Sequence, residues 1–491
     1  MPLKVCLVNP PIREWARPNQ VPMGLLMISS VLRSAGHQVD ILDTNGPRLT
    51  PDEVRARIAA HSSYDLYGIG GLITQWNYIR WCTNVLKEYH PEVPIVAGGP
   101  VVSNSPALFA QRMTSVDALV VGEGELAILD VVKDIEEKKL TGKTTVKLTL
   151  QPLNATTRTG LSSTEIAISK PVYQSPTINH LDDLPFPDFE NLDTVPIYRV
   201  NPVGGTNTKV KWSDGAAENV NNLTLITTRG CPFRCKFCQP RYLGDAPRTR
   251  SAQKVCDDIE RLVERYGVTY VHFTDELCFF SRRKALLFSE EVLRRGLQKV
   301  VKWGGATRMD IHDRESFEAM EAAGCMHVAG GIESLSVELL TKMDKYQQLE
   351  GGVDALVGKL RLAREIIEDV DTSFIIGYPG ETRETIQETI RNMQHISPEF
   401  RPDAVFFATP YPGTWLWDYA SSQGFIQDPI SHIESLGENS VNQRMNFTDI
   451  PDDELRIWKR KLEQATLDEP ESVDLHKGPM EWSGVAFSYP T

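Results

Sequence analysis

The chain has 491 residues, enough for two to four domains at about 100–200 residues each. Its 41% hydrophobic and 24% charged residues are ordinary for a globular protein, and no apolar run approaches the ~18 residues of a membrane span. The start, Met1–Asn9, lacks a signal-peptide pattern, so a cytoplasmic location is expected. A formal net charge of −13 with no basic stripe argues against nucleic acid as a partner, because phosphate would be repelled.

Residues 1–139 alternate strand and helix patterns five times. Short runs rich in Val, Ile and Leu are expected at Lys4–Asn9, Gln38–Thr44, Asp65–Leu72, Pro94–Gly99 and Ala118–Gly122, as in strands buried on both faces. Helical patterns lie between them; Thr50-Pro51-Asp52-Glu53 is a capping box with proline at the first helical position, and Gly36 closes the helix before it. Repeated βα units of this length predict an α/β fold with a doubly wound, Rossmann-like parallel sheet. Residues 140–221 lose the alternation and read as a linker, with a hairpin near Lys143–Leu150 and a turn at Gly204-Gly205.

The alternation resumes at Leu223. Six strand–helix units across 222–414 predict a partial (β/α)6 barrel, with its chemistry at the C-terminal ends of the strands. Residues 415–491 read as a helical, Trp-bearing region without an interpretable motif.

Of eight cysteines, three crowd into Cys231-Pro-Phe-Arg-Cys235-Lys-Phe-Cys238, directly after the first barrel strand. Three thiolates on a tight loop suit three irons of a cubane and leave the fourth iron open to a small bidentate ligand. A structural zinc site would need a fourth Cys or His nearby; the loop has none, and Cys256 falls within the next helix. The single cysteines Cys6, Cys82, Cys256, Cys278 and Cys325 read as small hydrophobes, Cys278 standing just after a barrel strand.

The cysteine loop, with Phe237 before its last cysteine, is similar to the signature of the radical SAM superfamily over roughly residues 222–415. The resemblance implies a [4Fe–4S] cluster on Cys231, Cys235 and Cys238, and S-adenosylmethionine (SAM) held by strand-end residues. Phe237 would lie near the adenine. Asp275 or Glu276 would meet the methionine ammonium, Glu333 and Ser334 the ribose and carboxylate, and Arg308, at the end of the third strand, would help hold SAM. Gly377 would stand on the adenine strand. Taken singly, Arg308 and Glu333 also read as ordinary ion-pair partners.

A Rossmann-like domain before such a barrel resembles the cobalamin-binding module of cobalamin-dependent radical SAM enzymes. The residues implied as cobalamin contacts are Gly70 and Gly71, then Thr74, Gln75 and Trp76 in the loop Leu72–Trp76. Gly98, Gly99 and Pro100 follow the fourth strand, and Gly122 and Glu123 the fifth. No Gly-x-Gly-x-x-Gly follows the first strand, which counts against a dinucleotide fold. The loop after that strand also has no histidine. His37, His61 and His90 are expected on the opposite sheet edge, so cobalamin would carry no protein nitrogen on cobalt. Trp76 is the preferred neighbour of its lower face, against the plainer reading of Trp76 as a packing residue.

The resemblance therefore implies an enzyme. The reduced cluster splits SAM to a 5′-deoxyadenosyl radical, which takes a hydrogen from an unactivated carbon of a small, natural-product-type molecule; that carbon then accepts a methyl group from cobalamin. A flavodoxin- or ferredoxin-like electron donor is implied, with no membrane partner, and no catalytic side chain is assigned. A cyclase or ring-rearranging enzyme with the same cofactors, a tRNA methylthiotransferase, and a non-enzymatic iron–sulfur carrier are the alternatives.

Overall fold

The computed structural model describes residues 2–13, 17–61, 63–150, 162–200, 209–211, 217–239, 246–346, 349–437 and 442–468. The Gly204-Gly205 turn and everything after residue 468 lie outside this set.

The first sheet contains β1 (Lys4–Asn9), β2 (Gln38–Asp43), β3 (Leu66–Gly70), β4 (Ile95–Gly98), β5 (Ala118–Val120), β6 (Lys143–Leu150) and β7 (Ser162–Tyr173). Its order is β2-β1-β3-β4-β5-β7-β6. β1 to β5 are parallel, as their apolar composition predicts. Along β1, Val5 and Leu7 enter one core cluster while Cys6 and Val8 enter another. Alternate side chains thus serve opposite helix layers, which is why the strand reads as a continuous apolar run. The Thr50–Glu53 capping box forms in both directions, with Glu53 N donating to Thr50 Oγ1 at 3.3 Å and Thr50 N to Glu53 Oε2 at 2.7 Å.

The hairpin expected in the linker forms, but it does not stand between domains. β7 pairs parallel with β5, and β6 antiparallel with β7. The first sheet therefore extends past the expected boundary at 139, because the edge of β5 offers unpaired backbone groups that a long strand can satisfy. A short antiparallel pair follows, β8 (Lys209–Lys211) with β9 (Ala217–Asn219).

The second sheet is built from β10 (Asn222–Leu225), β13 (Tyr270–Phe273), β14 (Lys302–Ala306), β15 (Cys325–Glu333), β16 (Asp369–Ile376) and β17 (Ala404–Phe407), side by side in chain order and all parallel. β11 (Thr228–Arg229) and β12 (Arg248–Thr249) form a small antiparallel pair bracketing the cysteine loop. The expected six-stranded partial barrel is present.

The region after 414 is not a detached tail. Helix Asp452–Glu463 places Leu455, Trp458 and Leu462 in the barrel core. Helix Pro429–Ser435 crosses to the first domain, where Glu434 accepts from Arg80 at 2.5 Å and from Arg112 at 2.7 Å. Among the described residues no helix is long and apolar enough to cross a membrane.

Candidate active site

The cysteine loop leaves β10 at its C-terminal end and turns at Gly230, whose φ of +84° favours glycine. It is pinned on several sides. Lys236 N donates to Met343 O at 3.0 Å, Leu416 N to Lys236 O at 3.2 Å, and Gln239 Nε2 to Pro412 O at 2.7 Å. From the barrel, Asp275 accepts from Thr227 N (2.8 Å), Thr228 N (3.1 Å) and Thr227 Oγ1 (2.5 Å). From the first domain, Glu123 and Glu125 grip Arg229, the former at 3.0 Å, two residues before Cys231.

All three thiols are free and open to solvent, Cys238 most of all. Protein surrounds them nonetheless, and burial pushes each thiol upward; the charges of Lys345 and Arg308 oppose this at Cys235, and that of Lys345 at Cys238. Clustered thiols facing two fixed cations fit a thiolate-ligated iron–sulfur centre, whose anionic sulfurs such cations stabilise.

The strand ends bring most of the expected SAM residues around this loop. The Arg308 guanidinium lies 3.6 Å from the centroid of the Phe233 ring and 4.5 Å from that of Tyr346, with Asp310 bonded to it at 2.9 Å. Glu333 adopts φ +68° beyond a register shift at Gly331, and its carboxylate pairs with buried Lys345 at 2.7 Å. Asp344 and Tyr346 also hold positive φ, +55° and +57°. Non-glycine residues in this region cost about 1–3 kcal/mol each and cluster where surroundings fix a functional geometry. Phe237 packs with Leu339, Met343 and Tyr378, and Lys345 Nζ sits 5.6 Å from its ring. Gly377, at φ +81°, donates its N–H to Glu381, whose carboxyl burial pushes up to about 8.

Two expected SAM contacts are otherwise engaged. Both Asp275 oxygens serve Thr227 and Thr228, so Asp275 positions the cysteine loop. Glu276 is the carboxylate of this pair left facing the cleft, close enough to Cys231 to raise its thiol. The Ser334 hydroxyl meets Thr389 Oγ1 at 3.0 Å and accepts from Ser336 N at 3.1 Å, so it ties β15 to the helix behind it. Cys278 donates its thiol to Ala306 O at 2.9 Å within the core, the structural role of a small hydrophobe.

The edge expected to take cobalamin also changes in detail. A Cβ on Gly70 would come within 2.9 Å of Gly98 O, one on Gly71 within 2.3 Å of Gln75 Oε1, and one on Gly99 within 3.2 Å of Gly71 N. Gly70 and Gly99 are required first by the close approach of the loops after β3 and β4, and Gly71 by the Gln75 side chain folded over its own loop. Gly122, at φ +86°, is the one of this set that opens on free space. Pro100 starts a one-turn helix, and Thr74 sits half-buried in the turn Ile73–Gln75. Gln75 is spent within the protein, its Nε2 donating to Pro10 O and Pro11 O at 2.8 and 2.9 Å. Trp76 is 1% exposed and packs edge-on against Phe109, 5.4 Å between centroids. The expectation that it faces the ligand is corrected: as the first residue of helix Trp76–Tyr89 it points into the core. Leu72, 43% exposed, is the apolar side chain this loop turns outward. Glu123 is corrected too, since Arg229, Arg248 and Ile178 N occupy its carboxylate. His37, His61 and His90 stand beside the starts of β1 and β3, on the opposite edge as expected. The open space at Gly122 and the outward Leu72 leave room at this edge that would fit a corrin.

Lys345, Tyr346, Phe233, Arg229 and Glu125 were not singled out from the sequence. Phe233 lies inside the cysteine motif and Arg229 two residues before it, and their aromaticity and charge were the available signal. Lys345 and Tyr346 carry no motif; a tight turn at positive φ brings them over β15.

Comparison with known proteins agrees with this geometry. The model of the radical SAM superfamily matches residues 225–393, and that of the B12 binding domain residues 16–132. The uncharacterized methyltransferase PH0819 of Pyrococcus horikoshii is 27% identical over 86% of this chain and 84% of its own length. The anaerobic magnesium-protoporphyrin IX monomethyl ester cyclase of Cereibacter sphaeroides is 34% identical, but over 41% of this chain and 32% of its own. Among solved structures, the radical SAM methyltransferase TsrM from Kitasatospora setae shares the fold with a TM-score of 0.63 at 19% identity, covering 86% of this chain and 78% of its own. The chain thus joins a B12 binding domain to a radical SAM domain, the two modules that the cobalamin-dependent radical SAM enzymes combine.

Proposed function

We propose that the protein methylates an unactivated carbon of a small molecule, using a [4Fe–4S] cluster, SAM and cobalamin. One observation carries this reading. The loop after β5, at the ligand-binding edge of the first sheet, grips the cysteine loop at the ligand-binding edge of the second through Glu123, Glu125 and Arg229. Both edges therefore open onto one interdomain space, as a reaction sharing two cofactors requires. The similarity to PH0819 over most of both chains supports methyl transfer.

In this reading Cys231, Cys235 and Cys238 hold the cluster, and Glu276, Arg308 and Glu333 with Phe237 and Gly377 shape the SAM pocket. Gly122 and Leu72 border the corrin. When bound, the cluster supplies the electron that splits SAM and cobalamin supplies the methyl group. The chain's own groups fix positions: Asp275 and Arg229 hold the loop, Arg308 is clamped between two aromatic rings, and Lys345 fixes Glu333. An electron donor of the flavodoxin or ferredoxin class completes the requirement.

Glu333→Gln keeps the shape of the side chain and removes its charge. Loss of a charged hydrogen bond worth about 1.5–3 kcal/mol should weaken SAM roughly ten- to a hundred-fold, with the cluster's absorbance intact. Unchanged SAM affinity in equilibrium binding would reduce Glu333 to the partner of Lys345.

The reading as a whole is tested by anaerobic reconstitution with cobalamin, SAM and candidate metabolites. Expected are 5′-deoxyadenosine, S-adenosylhomocysteine and a product heavier by one CH₂ unit. A product without that gain would assign cyclisation or rearrangement instead, the chemistry suggested by the local similarity to the cyclase.

A further inference from the structure

The inner faces of β13 to β16 carry a second group of ligand-type side chains far below the cysteine loop. His327 and Asp371 approach at 3.0 Å between Nε2 and Oδ2, and ligand atoms of His327, Asp369 and Asp371 all lie within 4.8 Å of one another. Three aspects set this group apart from a solvated acidic patch. His327 is 4% exposed, yet neither ring nitrogen makes a hydrogen bond; the approach to Asp371 has ion-pair distance without hydrogen-bond geometry. His272 is 7% exposed with its Nδ1 unpartnered, its ring 6.0 Å from that of His327. The Tyr270 hydroxyl and Asp371 Oδ1 are likewise buried without partners. Between the two histidine strands stands Gly304, in register with both His272 and His327, where a Cβ would fall 2.4 Å from the Tyr270 hydroxyl.

We propose that His327, Asp369 and Asp371 bind a divalent first-row transition ion inside the lower barrel, with His272 beside it. An imidazole with carboxylate oxygens and no thiolate is the donor set of Mn²⁺, Fe²⁺ or Zn²⁺ rather than of Ca²⁺ or a soft ion. The site is distinct from the SAM pocket. His327 precedes Glu333 by six residues along β15, about 20 Å at ~3.3 Å per residue. Tyr270 also belongs to a small buried cluster with Val220 and Met326. The ion offsets carboxylate charge held in a half-buried place and ties β15 to β16 near the start of both strands. Lys302, two residues before Gly304 and on the same face of β14, is the competing source of positive charge.

Mn²⁺ separates this site from the cysteine loop, since thiolates do not favour it. Chelator-washed full-length chain is titrated with Mn²⁺ and followed by electron paramagnetic resonance and thermal unfolding. Expected are one immobilised Mn²⁺ per chain, a raised Tm, and displacement by Zn²⁺, which binds such sites more tightly. Asp369→Asn, which keeps the shape of a partly buried side chain, and His327→Gln should each weaken Mn²⁺ by about ten-fold or more. The Cys231→Ala variant should bind it unchanged. Absence of stoichiometric Mn²⁺ in the unmodified chain, or unaltered binding in Asp369→Asn, overturns the proposal and leaves Lys302 and water to neutralise the group.

Discussion

Alanine at Cys231, Cys235 and Cys238 together yields a folded, colourless protein that forms no 5′-deoxyadenosine. The fold survives because the loop does not depend on the thiols. Its backbone bonds to Met343 and Leu416, the Asp275 carboxylate beneath Thr227 and Thr228, and the Arg229 clamp all remain. Half-exposed thiols shortened to alanine change stability by about 0.5 kcal/mol or less, so circular dichroism and thermal unfolding should match the parent chain. Iron content and reductive SAM cleavage should both fall to background. Retained iron with activity, or equal loss from changing a fourth cysteine such as Cys256, would refute the assignment.

Arg229→Gln is expected to cost far more stability than its single position suggests. The guanidinium is buried between Glu123 and Glu125, and Glu123 keeps Arg248 at 2.8 Å when Arg229 is lost. Glu125 is left buried without its cation, and removing one member of such a pair costs about 3–5 kcal/mol. Because the pair joins the two domains two residues before Cys231, the loss should appear as early unfolding and as slower, incomplete cluster reconstitution. Adding Glu125→Gln removes the stranded charge, and the double variant should recover most of the lost stability in a double-mutant cycle. A loss below about 0.5 kcal/mol in Arg229→Gln, or no recovery in the double variant, would show that the clamp is not the tie described here.

Local pattern carried a large part of this protein. Apolar runs of four to eight residues between capped helices determined the parallel strands, since a strand covered on both faces admits little else. The three-cysteine spacing marked the loop, because thiolate ligation is set by neighbours in sequence. The loop after β1 holds no histidine, and those at helix ends fall on the far edge of the sheet by the geometry of a βα unit alone. What a side chain does once the loops fold depended on partners distant in sequence. Gly70 and Gly99 read as ligand-facing, but the meeting of two loops uses their missing side chains first. Trp76 lies at a helix start, where one turn of rotation separates the ligand edge from the core, and contact with Phe109 decided its direction. Asp275 and Ser334 occupy expected strand ends, yet Thr227 and Thr389, 48 and 55 residues away, take their polar atoms. Arg229 lies more than 100 residues from Glu123 and Glu125, and only the docking of two sheet edges makes them one buried ion network. Spacing along the chain determined which residues could ligate; the desolvation of each polar group by its folded neighbours decided which of them were already bonded and which still face the cleft.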